Sequence, residues 1–404
     1  MNQTLDELQM VHEEELTNYD RIQAQVMDVM HRHGCKIIQT PTFENYDTYG
    51  KYFPALQKEM VKTIDSDGSV LVMRPDVTMP LVKTVAKEYP NAKQLLKFGY
   101  VSMVFREYYG KSTHGKYFLQ SGVEVLGDDS PECDGEVVVT AAEFLESLSI
   151  TDMRIDLGTV AYMDALFKEL RLSPEVLLKV REYLEKRNLV AFREIADSLP
   201  LTKLQREVLL ELPMLFGEYE STFARAEELC LNSDMAAALG RLKKVYQYLK
   251  SAGYQDKVQL DLGFTSHMGY YTDLVFKIYA DGALYSLING GRYDDLSAQF
   301  HADRPACGFG MNMNLLYEFM ADAGLLEQMK PSVDLAILYE EATPALIQDL
   351  TEWRKKGFSV LGANEKNDIS PKDYLLVARY RNGQYELDGK RASKEMIEEK
   401  LRRL

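Results

Sequence analysis

The sequence predicts an α+β protein in which one sheet domain is interrupted by a block of helices and followed by a small α/β unit. Three observations carry this expectation. Strand-like runs recur up to about residue 161 and again over 253–328. Between them, residues 162–252 are rich in Leu, Glu, Lys and Arg at helical spacing, with almost no β-branched runs. A sheet pattern that stops for helices and then resumes is most simply one domain carrying an insertion. Residues 329–404 alternate strand and helix by themselves and form a separate C-terminal unit.

In chain order, residues 16–33 place Tyr19, Ile22, Val26, Val29 and Met30 on one helical face, and Gly34 sits where a left-handed cap ends a helix. The run Cys35-Lys-Ile-Ile-Gln is a short strand that stops at Thr40-Pro41-Thr42-Phe43-Glu44. Ser69–Arg74, Phe98–Phe105, Tyr117–Leu126 and Met153–Leu157 read as strands, with a helix near 134–148. After the helical insertion, strands are expected at Val258–Leu262, Leu274–Tyr279 and Ala283–Ile288, and a helix after Asn312. The C-terminal unit is expected to run as strand Val333–Tyr339, helix 343–356 ending at Gly357, strands Phe358–Leu361 and Tyr374–Tyr380, and helix 392–403.

Composition excludes several classes. The 404 residues are 46% hydrophobic and 27% charged, which is ordinary for a globular chain of two or three domains. A formal net charge of −15 repels polyanions, and no basic patch offsets it, so nucleic acid is not an expected partner. The start, Met1–Glu15, is acidic and lacks an apolar core, so no signal peptide is expected. No stretch approaches the ~20 apolar residues that span a bilayer, so no membrane is expected either. The four cysteines lie far apart without CxxC spacing and read as reduced thiols of a cytoplasmic protein. The six histidines show no ligand spacing, and neither a metal site nor a cofactor is expected.

Four segments carry chemistry: Met73-Arg-Pro-Asp-Val-Thr78; Val104 to Gly127, with Arg106, His114, Lys116, Gln120 and Glu124; His267-Met-Gly-Tyr-Tyr-Thr272; and Asn289-Gly-Gly-Arg-Tyr-Asp294. Taken singly, each has a plainer reading. Glu124 and Gln120 at i, i+4 on a strand share one face, which suits a solvated surface as well as a pocket. Tyr270-Tyr271 suits sheet packing, and Gly290-Gly291-Arg292 suits a tight turn with a paired arginine. Arg106 suits a structural ion pair, and His114 an exposed loop.

In their order and spacing, these segments resemble histidyl-tRNA synthetases and their non-aminoacylating relatives, over about residues 16–325. The resemblance implies a class II aminoacyl-tRNA synthetase-like antiparallel sheet flanked by helices. It implies that Glu124 and Tyr270 face the two nitrogens of a histidine ring. Asp76, Thr78 and Gln120 would hold the α-ammonium, with Asp76 a shortened form of the family's usual glutamate. Arg106 and Tyr271 complete the implied histidine-binding set. A dry site that pairs both ring nitrogens rejects other side chains, because an unpaired buried polar group costs ~1–3 kcal/mol.

The parts that activate ATP are matched less well. The family arginine before the Tyr-Tyr pair falls on Ser266, and the arginine that clamps the γ-phosphate falls on Leu315. The acidic residue of the second motif is Tyr108, and the loop after it offers only His114 and Lys116. Loss of two such cations removes several kcal/mol of transition-state stabilisation. The C-terminal unit, which reads the anticodon in synthetases, is shorter here and has no basic excess. Together these imply a chain with no catalytic residues of its own, resembling the regulatory subunits of ATP phosphoribosyltransferase. Implied partners are a short-form catalytic ATP phosphoribosyltransferase subunit and L-histidine as effector, in a hetero-octamer built on a homodimer core, with Thr40–Glu44 near the dimer interface. The alternatives are a working histidyl-tRNA synthetase and another synthetase-like histidine-binding protein.

Overall fold

The structure, a computed structural model, describes residues 13–47, 49, 59–89, 94–106, 117–263, 270–300, 304–327, 331 and 333–403. The chain forms two compact units, Met1–Leu325 and Leu326–Leu404. The strands of the first unit are β1 (Lys36–Ile37), β2 (Phe43–Asn45), β3 (Lys62–Ile64), β4 (Val70–Met73), β5 (Leu96–Val104) and β6 (Phe118–Leu126). They continue as β7 (Met153–Thr159), β8 (Phe216–Glu218), β9 (Val258–Asp261), β10 (Leu274–Ala280), β11 (Ile288–Arg292) and β12 (Ala306–Asn312). Nine of them make one sheet in the order β1-β5-β6-β12-β11-β10-β7-β9-β8, and β2-β4-β3 form a separate three-stranded sheet. The large sheet is antiparallel except where β1 meets β5 and β7 meets β9.

One face of this sheet is dry because helix Pro131–Ser147 covers it. Ser130 caps that helix by accepting from the Cys133 amide, Pro131 takes the first position, and Glu132 and Asp134 place negative charge at its amino end. Phe144 meets Phe309 of β12 edge-on at 5.0 Å between ring centres, and Phe309 meets Phe276 of β10 in turn. With its apolar demand met there, the opposite face is left to polar side chains. The residues of 162–252 include the expected helices, but they also supply β8, which closes the sheet at β9. Helix Ser233–Ser251 lies against helix Pro131–Ser147, where Arg241 pairs with Asp134 at 2.6 Å and Asp273 at 3.0 Å. Asp134 also holds the fully buried Arg292 at the end of β11.

The second unit has strands β13 (Val333–Tyr339), β14 (Val360–Asn364), β15 (Tyr374–Arg381), β16 (Gln384–Leu387) and β17 (Lys390–Ala392), ordered β14-β13-β15-β16-β17. The first three are parallel and the last three antiparallel. Asn382-Gly383 and Asp388-Gly389 all have positive φ, as two-residue hairpin turns require. Trp353, Leu335, Ile337 and Tyr385 fill its core.

Two sequence expectations change. The strand expected at Ala283–Ile288 lies at Ile288–Arg292, so Gly290-Gly291-Arg292 is strand interior and not a turn. The ring of Phe276 and the carbonyl of Gly308 come so close to Gly290 that a side chain there has no room, which is why a strand carries glycines. Strands β2, β3, β8, β12, β16 and β17 carry no expectation from the sequence, because they are short or glycine-rich. β2 begins inside the Thr40–Glu44 segment, where the sequence places the end of the preceding strand. Arg292 is a paired, buried arginine.

Helix Glu13–Arg32 is tied to the core by an ionic contact. The ring of His33 sits between Glu136 and Glu143, at 3.0 and 2.9 Å. The hydrogen bond to Glu136 raises the His33 pKa, and the same contact holds Glu136 down at about 2. Folding therefore favours the charged ring. Its stabilisation is complete below pH ~6.5 and fades as pH rises through the higher folded value. His33→Gln is expected to lower stability by roughly 1–3 kcal/mol at pH 6, and by less at pH 8.5, in urea unfolding at the two pH values.

Candidate functional site

The polar face of the large sheet is built around Glu124. On β6, Gln120 and Glu124 point to the same side, and on β12 their cross-strand neighbours are Asn312 and Gly308. A Cβ placed on Gly308 would overlap Glu124 Oε2, and one on Gly310 would come within 2.5 Å of Gln120 Nε2. The two long side chains thus lie down on β12 because two glycines leave them the space. Glu124 is 1% exposed. Its Oε1 accepts from the hydroxyl of Thr78 at 2.6 Å, and its Oε2 accepts from the hydroxyl of Tyr293 in a short bond.

Thr78 opens helix Thr78–Glu88, and Asp76 lies just before it. Asp76 is buried, and its Oδ1 accepts from the Met79 amide at 2.8 Å, which places a carboxylate at the positive end of a helix. Its Oδ2 is buried and accepts no hydrogen bond of good geometry. The hydroxyl proton of Thr78 is given to Glu124, so the lone pairs of its oxygen remain able to accept from an ammonium group. Arg74, two residues earlier, is spent on structure: its guanidinium donates to the carbonyls of Thr40, Pro41 and Met103.

Aromatic rings close the site. Tyr270 lies 4.9 Å from Tyr271 and meets Tyr293 edge-on at 5.8 Å. Both belong to the cluster that includes Tyr49, Phe98 and Leu126. Sheet packing and ring contact thus converge on the same two tyrosines. Burial pushes the pKa of Tyr100, Tyr270, Tyr271 and Tyr293 upward, so all four stay neutral donors or acceptors. Arg106 stacks its guanidinium 5.4 Å from the Phe118 ring, and its charge bears on both Asp76 and Tyr100.

The expected residues Asp76, Thr78, Glu124, Tyr270 and Tyr271 meet around one spot, with Gln120 four residues before Glu124 on the same face of β6 and Arg106 acting on Asp76. Tyr293 was not among the expected ligands, although it stands in the Gly-Gly-Arg-Tyr-Asp segment. Its role shows only when β11 and β6 are placed across β12. Residues 107–116 and 264–269, and with them Tyr108, His114, Lys116, Ser266 and His267, lie outside the described residues. Leu315 is described. It lies in helix Met313–Asp322, whose first amides, those of Asn314 and Leu315, donate to the side chain of Asn312 at 3.0 and 3.1 Å.

An antiparallel sheet with one helix-covered face, and on the other a buried acidic pocket rimmed by tyrosines, defines a class II aminoacyl-tRNA synthetase-like protein. The histidyl-tRNA synthetase family profile matches residues 7–316. ATP phosphoribosyltransferase regulatory subunits of Bacillus licheniformis and Bacillus subtilis are 34% and 31% identical to the chain, each covering 84% of it and 86% of the relative. Among solved structures, an ATP phosphoribosyltransferase regulatory subunit/histidyl-tRNA synthetase of Bacillus halodurans superposes with a TM-score of 0.81 at 28% identity, covering 95% of this chain and 99% of that one. A histidyl-tRNA synthetase of Nostoc sp. PCC 7120 shares the fold, with a TM-score of 0.73 at 17% identity over 100% of both chains. The chain belongs to the histidyl-tRNA synthetase-like family and, within it, to the regulatory subunits of ATP phosphoribosyltransferase.

Burial of Glu124 carries an electrostatic penalty. Burial, offset by the Thr78 and Tyr293 hydrogen bonds and reinforced by Asp76, raises the Glu124 pKa from 4.5 to about 7. Between these values the folded protein holds more protons than the unfolded chain, so stability falls as pH rises through that window and the loss is complete above it. Glu124→Gln is expected to stabilise the unliganded protein at pH 8 by up to about 3 kcal/mol, and to change stability little at pH 4.5. Thermal unfolding of both proteins at the two pH values checks this. A lower stability of the variant at pH 8 would mark Glu124 as a structural residue.

Proposed function

We propose that this chain is the histidine-binding, non-catalysing subunit that a short-form catalytic ATP phosphoribosyltransferase subunit requires for activity and for feedback control of the first step of histidine biosynthesis. One observation supports the reading: Asp76, Thr78 and Glu124 form a buried acidic cluster, while the helix Met313–Asp322 carries no cation at the position where the resemblance expects one. Leu315 stands at that position, and the adjoining amides are already satisfied by Asn312. An amide committed to a neighbouring side chain is a poor phosphate ligand.

In this reading the α-ammonium of L-histidine lies on Asp76 Oδ2, the oxygen of Thr78 and the amide oxygen of Gln120. The imidazole lies between Glu124 and the Tyr270–Tyr271 pair, and Arg106 faces the ligand's carboxylate. The sheet β2-β4-β3 exposes Phe43, Ile64 and Val70, which supports a homodimer core with Thr40–Glu44 near its interface. Catalytic subunits would dock on that core in a hetero-octamer. Feedback then requires histidine to bind two states of the assembly unequally.

Two outcomes test the reading. The isolated chain is expected to give no histidine-dependent ATP–pyrophosphate exchange. Turnover near 1 s⁻¹, an ordinary enzyme value, would return it to the synthetases. In the reconstituted complex, Glu124→Gln is expected to shift histidine inhibition of phosphoribosyl transfer to about ten- to hundredfold higher concentration, with uninhibited activity and assembly near normal. Unchanged inhibition with intact assembly would place the sensing site elsewhere.

A further inference from the structure

The pocket holds two buried carboxylates, Asp76 and Glu124, exposed by 4% and 1%. Among the described residues, neither has a Lys, Arg or His nitrogen within ion-pair distance. Every group around Glu124 is accounted for. Thr78 and Tyr293 donate one hydrogen bond to each of its oxygens; Tyr100, Tyr270 and Tyr271 face it as neutral phenols; and Asp76 faces it with like charge. Gly308 of β12 brings only backbone. The cation that bears on the site, among the described residues, is Arg106, which acts on Asp76 and Tyr100. Helix Thr78–Glu88 helps Asp76 through the Met79 amide. Glu124 thus has hydroxyl donors and, among the described residues, no counter-charge.

Two buried carboxylates share this site with no ion-paired cation among the described residues, and Asp76 has only the Met79 amide, the Tyr49 hydroxyl and the more distant Arg106 charge to offset its burial. This suits a ligand with two positive groups. We propose that the pocket takes histidine with both of its nitrogen groups protonated, the ammonium on Asp76 and an imidazolium on Glu124, so that each binding event holds one proton between ring and carboxylate and histidine affinity depends on pH. The inference rests on the histidine reading above and specifies its chemistry. A neutral imidazole offers one N–H donor and would leave the Glu124 charge uncompensated in a dry site. An imidazolium offers two donors and a full charge, and a charge-assisted hydrogen bond is about twice as strong as a neutral one.

The proton balance follows. In the complex, the ring and Glu124 together hold one proton. Free Glu124, with a pKa of about 7, and a free imidazole, at roughly 6.5, hold almost none at pH 8.5 and between one and two at pH 6. Binding therefore takes up close to one proton per site at pH 8.5, and releases a fraction of one at pH 6. Affinity peaks between pH 6.5 and 7 and falls about tenfold from pH 7 to pH 8.5. As a regulatory property, this makes the sensor less sensitive to histidine in an alkaline cell.

The experiment is titration calorimetry of L-histidine into the full-length protein, and into its complex with the catalytic subunit, at pH 6, 7, 8 and 8.5. Each pH is run in two buffers of different ionisation enthalpy, so that the number of protons exchanged is measured directly. The expected result is uptake approaching one proton at pH 8.5 beyond that of the ligand's α-amino group, with the tenfold fall in affinity, and loss of that excess in Glu124→Gln, whose weaker binding depends less on pH above 7. Histidine binding that is independent of pH and exchanges no protons would overturn the inference and leave the histidine reading standing. The ligand's α-amino group contributes its own uptake at pH 8.5 in both proteins, so uptake as large in Glu124→Gln as in the parent protein would assign the proton to another group and overturn the inference as well. Absence of histidine binding at every pH would overturn both.

Discussion

The site depends on one steric constraint: Glu124 can lie flat on the sheet only because Gly308, its neighbour on β12, has no side chain. A carboxylate that stood up from the sheet would reach water and keep its ordinary chemistry. Pressed onto the neighbouring strand, it is removed from solvent and must be paid for by hydroxyl donors, which arrive from two distant parts of the chain. Thr78 comes from the start of a helix and Tyr293 from the end of β11. The threonine and the tyrosine lie 46 and 169 residues from Glu124 in sequence, yet both serve one carboxyl group.

The rest of the first unit is organised to hold that face in place. Apolar packing of helix Pro131–Ser147 takes the opposite face. Where that helix begins, Asp134 joins Arg292 of β11 to Arg241 of helix Ser233–Ser251, so a buried ionic network binds the inserted helices to the strand that carries Tyr293. Breaking one partner of such a network leaves a charge buried without compensation, which costs several kcal/mol. The network therefore fixes a unique arrangement of strand and insertion more than it adds net stability.

A pocket for an amino acid and a site that activates it are physically separable. Recognition rests on hydrogen-bond acceptors and fixed negative charge on the sheet, whereas activation needs cations around a triphosphate. In helix Met313–Asp322 the side chain of Asn312 accepts from the first amides, and Leu315 stands where the resemblance expects a cation. Neither residue hydrogen-bonds to Glu124, Thr78 or Asp76. A family in which some members aminoacylate and others regulate is consistent with that separation.

The sequence by itself determined the α+β class, and it set out a helical block, a separate C-terminal unit, and Asp76, Thr78, Glu124, Tyr270 and Tyr271 as residues that the structure places close together. These rest on periodicity and on short segments in a fixed order, both of which survive without coordinates. What it could not determine lies in contacts across strands. The strand at Ile288–Arg292 and the strand Ala306–Asn312 are too rich in glycine to show a pattern, because their glycines answer to neighbours and not to local propensity. Tyr293 joined the site for the same reason, as its partner lies two strands away. Only the tertiary structure decided that Glu124 is fully buried, that its donors are hydroxyls, and that its nearest charged neighbour is another carboxylate. Charge state in a dry site is set by what surrounds a group in space, and a sequence does not record that.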